Sequence, residues 1–144
     1  TEQAAEFLSV QKAKAVSQEY PKDTVIGCDT AVICDGEILG KPKDSEDAKR
    51  MLQLLSGKTH QVITGCAIFK NGKSISFSEI TEVSFFPLSE KEIDDYIATN
   101  EPFDKAGAYG IQGYGSLLVE KINGDYFNVV GLPVSKLNKI LKKI

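Results

Sequence analysis

Three dipeptides, Asp35-Gly36, Asn71-Gly72 and Asn123-Gly124, each stand between apolar segments of strand length. Asn, Asp and Gly accept positive φ at little cost, so such pairs close two-residue hairpin turns. They commit much of the chain to antiparallel neighbours. The spacing predicts a strand over 24–34 returning through 37–40, and a strand over about 60–69 returning after Asn71-Gly72. A third hairpin is predicted to join 117–122 to 125–130. The second return strand alternates through Ile75 and Phe77, then again through Thr81, Val83 and Phe85.

Helical signals fill the intervals. Residues 3–19 carry Ala4, Leu8, Gln11 and Ala15 along one expected stripe, with Lys12 beside it. Asp44 is placed to cap a helix whose inward residues are Ala48, Met51, Leu52 and Leu55, and Gly57 ends it. Ser89-Glu-Lys-Glu92 reads as a capping box opening a helix to about Thr99. Ser135 is expected to cap a last helix that turns Leu137, Ile140, Leu141 and Ile144 inward. Strands interleaved with helices, with no repeat, low-complexity tract or linker, predict one mixed α/β domain over residues 1–144. With 42% apolar and 26% charged residues, the chain has core enough to fold without staples.

Several classes are excluded. No apolar run reaches the roughly 18–20 residues of a membrane span, and the N-terminus shows no basic-then-apolar leader. Seventeen basic against twenty acidic residues leave a net charge of −3. Basic and acidic residues are interleaved, so the basic stripe of a nucleic-acid-binding protein is missing. Cys28, Cys34 and Cys66 are odd in number, lack a C-x-x-C spacing and sit in apolar runs. They predict reduced core thiols in a cytoplasmic protein, and no zinc site.

Against that background three segments stand out. Asp29 interrupts Val25-Ile-Gly-Cys-Asp-Thr-Ala-Val-Ile33, where an unpaired buried carboxylate would be costly. It must meet water, a cation or donors, either as a capped structural residue or as a functional one. Strict alternation sends Asp29 and Thr30 to opposite faces, so both serve one site only if the strand ends or bulges there. In Gly40-Lys41-Pro42 the proline holds Lys41 extended, as a point charge for a phosphate. In Asp104-Lys-Ala-Gly-Ala-Tyr-Gly-Ile-Gln-Gly-Tyr-Gly115, four glycines predict a loop that approaches an anion closely. Lys105 supplies charge there, and Gln112 has the donor and acceptor needed to read a base edge. Tyr109 and Tyr114 are expected to pack inward rather than stack on a base. His60, the sole histidine, shows no partner for triad chemistry and is expected in solvent.

Taken together and in order, Gly27-Cys-Asp-Thr30, Gly40-Lys-Pro42, Leu55-Ser-Gly-Lys-Thr-His60, Asp104 to Gly113 and Gly124 to Pro133 resemble the Maf family of nucleoside triphosphate pyrophosphatases, once described as septum-formation inhibitors. The resemblance runs across essentially all of the chain. It implies an α/β fold of the Maf and inosine-triphosphate-pyrophosphatase type, a mixed twisted sheet flanked by helices beside a cleft. It implies hydrolysis of a nucleoside triphosphate to monophosphate and pyrophosphate with a divalent cation, Mg²⁺ or Mn²⁺. The Tyr-Gly-Ile-Gln-Gly form resembles the branch acting on dTTP and UTP; the branch acting on CTP or methylated GTP typically carries Glu where Gln112 stands.

The family pattern makes Asp29 the proton acceptor, or the residue holding the metal that activates water. It makes Lys12 and Lys41 cleft lysines, and Thr30 and Gln112 specificity positions. Lys105 joins them from the loop chemistry alone. Self-association into a homodimer is expected on the same resemblance. Family members carry a strand, a Ser-x-x-Arg-Arg loop and an acidic segment ahead of the position of Thr1, so the chain is expected to be N-terminally truncated relative to them. The rival reading is a nucleotide-binding regulator of septum formation without turnover, which needs the cleft but not a water-activating aspartate.

Overall fold

The computed structural model describes residues 2–144. Its elements are α1 (Glu2–Glu19), β1 (Val25–Cys34), β2 (Glu37–Leu39), α2 (Ser45–Leu55), β3 (Thr59–Lys70), β4 (Lys73–Phe85), α3 (Glu90–Ala98), β5 (Val119–Asn123), α4 (Tyr126–Val130) and α5 (Val134–Leu141). The strands form one sheet in the order β2-β1-β3-β4-β5. Both early hairpins form where expected, with positive φ at Asp35, Gly36, Asn71 and Gly72. The α/β class holds, and among the described residues every strand pairing is antiparallel where a mixed sheet was expected. No helix among the described residues is long and apolar enough to cross a membrane.

One face of the sheet is covered by α1, which lies across β1, β3 and β4. Its buried stripe is Ala5, Ser9 and Ala13, one position on from the expected Ala4 and Leu8, and Leu8 is 43% exposed. The reason is closeness of approach. A side chain at Gly65 would run into the backbone of Ala5 and Glu6, and one at Gly27 into Ser9 and Ala13. Backbones that near leave room for alanine and serine and none for leucine. Ser9 is satisfied by donating its hydroxyl proton to the Glu6 carbonyl.

The opposite face carries the main core. Asp44 caps α2 by accepting from the Asp47 amide, and Ala48, Met51, Leu52 and Leu55 pack against Val32, Leu39, Val62, Val83 and Phe85. The Ser89–Glu92 capping box opens α3, which adds Ile93 and Tyr96 to that core. A second cluster joins Cys66, Ile68 and Phe77 to Leu137 of α5.

Three local expectations fail here. Residues 126–130 are the helix α4, not a strand returning from Asn123-Gly124. Asp125 caps it, and buried Asn128 donates to the Val62 and Glu79 carbonyls and to Thr81 Oγ1, contacts no local pattern announces. Ser135 does not cap α5; the cap position is Pro133, whose φ of −74° is already helical. Ile144 is 45% exposed rather than inward. The glycine-rich segment expected as a loop bends as such, through three short 3₁₀ turns, Glu101–Asp104, Ala106–Ala108 and Gly113–Leu117.

Candidate functional site

Pairing with β2 occupies only Val32–Cys34 of β1. From Val25 to Ala31 the outer edge of β1 has no strand neighbour among the described residues. A cleft of about 330 Å³ opens along that edge, within the range of small-molecule sites. Lys12, Asp29, Thr30, Lys41, Lys105 and Gln112 all line it. Residues spread over 100 positions of sequence thus meet in one depression.

Asp29 and Thr30 do point to opposite faces. Asp29 turns toward α1, where Lys12 Nζ lies 2.7 Å from its Oδ1 and leaves the carboxylate 20% exposed. The Gly65 position directly across from Asp29 admits the α1 backbone and so brings Lys12 within reach. Thr30 turns the other way, its hydroxyl 3.0 Å from that of Thr64, which donates to the Asn128 carbonyl. Neither a strand end nor a bulge is needed. The cleft borders β1 on both faces and so takes in both residues.

The remaining groups arrive on loops. Pro42 is buried while Lys41 is exposed, and the Gly107 amide donates to the Gly40 carbonyl at 3.1 Å, tying the lysine loop to the glycine-rich segment. The Lys105 stem lies over Gly110, where a Cβ would collide with it, and its ammonium pairs with Asp104 at 2.9 Å. That hydrogen bond holds the Asp104 carboxyl below the usual carboxylate range. Gln112 is exposed at the rim. Three lysines stand against two aspartates, Asp29 and Asp104, so this depression of an acidic protein favours an anion.

Sequence reasoning missed two supports. Glu101 accepts from the Tyr96 hydroxyl and from the amides of Tyr114 and Gly115, after Gln112, and the Tyr96 hydroxyl accepts from the Gly110 amide before it, so the pair holds the segment that presents Gln112 on both sides. Burial pushes its carboxyl up, but Tyr96, those two amides and Lys105 outweigh it and hold it below the usual range. The signal available was a carboxylate beside a glycine-rich run that needs its amides satisfied. His60 was expected in solvent and is instead buried, 2.6 Å from the Tyr109 hydroxyl and edge-on to Phe85 and Tyr109. Burial lowers its pKa to about 4. Its partner lies 49 positions away in sequence, which is why none was visible. Tyr109 packs inward as expected, with burial raising its phenol, and forms part of the cleft floor. Tyr114 does not: it is 63% exposed.

For a divalent cation the donor set is sparse. Among the described residues no three His, Cys, Asp or Glu side chains converge on a metal position. The cleft offers Asp29 and Asp104, each paired with a lysine, Lys12 and Lys105. That set fits a Mg²⁺-type ion, which protein sites hold through one or two carboxylates plus substrate phosphates rather than in a cage of side chains.

The Maf-like protein family profile matches residues 1–144. A protein of Bacillus cytotoxicus named dTTP/UTP pyrophosphatase is 56% identical over 136 residues, covering 94% of this chain and 71% of the relative. A protein of the same name from Geobacillus sp. (strain WCH70) is 56% identical over 144 residues, covering 99% and 77%. One from Clostridioides difficile is 55% identical over 138 residues, covering 94% and 71%.

Proposed function

This chain belongs to the Maf family, and we propose that it hydrolyses dTTP and UTP to the monophosphate and pyrophosphate, removing surplus or modified pyrimidine nucleotides. The observation that carries the reading is the cleft itself: a strand carboxylate, three lysines and an amide side chain line one depression beside β1. Relatives named for that activity align through all of these residues' segments.

The triphosphate lies along Lys12, Lys41 and Lys105, whose charge offsets the negative charge that builds as the bond to the leaving group stretches. Asp29 orients a water in line with the α-phosphorus and takes its proton as pyrophosphate departs. Lys12 holds the Asp29 carboxylate in place at 2.7 Å. The alternative role of Asp29 is to hold a divalent cation, which would supply charge neutralisation to the triphosphate. Thr30, fixed by Thr64, meets the sugar or base on the far side of the strand. Gln112 presents a donor and an acceptor to the pyrimidine edge.

The test is pyrophosphate release by the full-length protein, with Mg²⁺ or Mn²⁺, across UTP, dTTP, CTP, GTP and ATP. UTP and dTTP should lead, and Asp29→Asn should lose about 100-fold or more in turnover, the scale of a missing general base. Saturable nucleotide binding without product would replace this reading with that of a regulator.

A further inference from the structure

We propose that Cys28 and Cys66 form a reversible disulfide-forming site in the wall of the cleft, closed when a hydroperoxide reaches Cys28. This does not depend on which nucleotide the cleft takes. The two residues face each other in register across β1 and β3, and their sulfurs are 3.0 Å apart. Residues directly opposite in an antiparallel pair have Cα atoms about 4.5–5.5 Å apart, inside the span of about 4.4–6.8 Å that a disulfide bridges. The sulfurs need to approach by only about 1 Å for the bond to close.

The two thiols differ in a way that assigns their parts. Cys28 is half-buried and borders the cleft next to Asp29, whereas Cys66 is wholly buried against Ile68, Phe77 and Leu137. A small oxidant entering the cleft meets Cys28 alone. Cys28, the sulfur that the cleft reaches, is therefore the attacking group, and Cys66, 3.0 Å behind it in the core, the resolving thiol.

The chemistry balances with the hydroperoxide as the one oxidant. Cys28 thiolate attacks the distal peroxide oxygen, the O–O bond breaks, and Cys28 becomes a sulfenic acid as water or an alcohol leaves. The Cys66 sulfur then displaces the sulfenic oxygen, its proton departs in the water released, and the S–S bond forms. Two thiols are oxidised and one peroxide is reduced. Cys34, buried with its thiol facing the Leu54 carbonyl and pushed up by burial, serves as an internal control.

The folded protein is treated with hydrogen peroxide, alkylated, and read by intact mass and peptide mapping. The expected product has lost two hydrogens, links the Cys28 and Cys66 peptides, leaves Cys34 fully alkylated and reverts with dithiothreitol. In Cys66→Ala, Cys28 should stop at a sulfenic acid that dimedone traps; in Cys28→Ser, Cys66 should stay a free thiol. The proposal is overturned if no bridge forms, or if Cys28 runs on to sulfinic acid without one. Oxidation of Cys66 in Cys28→Ser at the wild-type rate overturns it too, since the cleft would then not be the route.

Discussion

Single side chains in this protein are set by partners far away in sequence. Gln112 is the exception, held at the cleft rim by its own loop: its exposure and its mixed donor–acceptor amide suit the edge of uracil or thymine. A carboxylate in its place accepts only, which suits the exocyclic amine of cytosine. Gln112→Glu should therefore move preference from UTP toward CTP, measured as the ratio of kcat/KM values; an unchanged ratio would refute base reading by this residue. Glu101 touches no substrate in this scheme and acts through the loop. Glu101→Gln replaces an acceptor facing two amides and a phenol with a group that also donates. Losing hydrogen bonds to a charged group costs about 1.5–3 kcal/mol, so KM for UTP should rise about tenfold or more while kcat changes less. Equal KM values for wild type and variant would remove Glu101 from the positioning role.

Among the elements, α1 matters most to the site because it carries Lys12 to Asp29. Its seat on the sheet is a backbone-to-backbone contact at Gly65. Gly65→Ala places a methyl where the Ala5–Glu6 backbone runs, and overpacking of this kind costs about 3 kcal/mol or more. The variant should melt lower, and if it stays folded it should lose turnover as Lys12 is displaced. Wild-type stability in Gly65→Ala would mean that α1 does not sit as closely as described. On the opposite face Leu52 of α2 is fully buried in the main core. Leu52→Ala should cost about 2–5 kcal/mol in urea unfolding with little change in KM, because α2 touches the site only through the core.

Taken whole, the molecule buries its single histidine neutral, which links stability to pH. His60 has a folded pKa of about 4 against an ordinary value near 6.5, so between those values the unfolded chain binds more protons. Its contribution is complete above about pH 6.5 and is lost as pH falls toward 4, amounting to about 3 kcal/mol at about 1.4 kcal/mol per pH unit. Urea midpoints measured from pH 7.5 to 4 should fall in that window, and His60→Gln should flatten the fall; an equally steep fall in the variant would place the titrating group elsewhere. His60 also marks the limit of what could be read in advance. Both early hairpins, the caps at Asp44 and Ser89 and the α2 stripe were legible, because turn chemistry, capping and hydrophobic period act over a few neighbouring residues; Asp29, Lys41, Lys105 and Gln112 stood out by their local chemistry, whereas Lys12 and Thr30 came only with the family resemblance. The Asn123-Gly124 hairpin, the α1 stripe and the solvent placement of His60 were misread, because Asn128, Gly65 and Tyr109, which settle them, act from other elements. Local chemistry singled out Asp29, Lys41, Lys105 and Gln112 one by one; that Asp29 and Thr30 line one cleft from opposite faces of β1, with Lys12 brought to Asp29 by the seat of α1, was decided only in the assembled sheet, because those contacts join residues far apart in sequence.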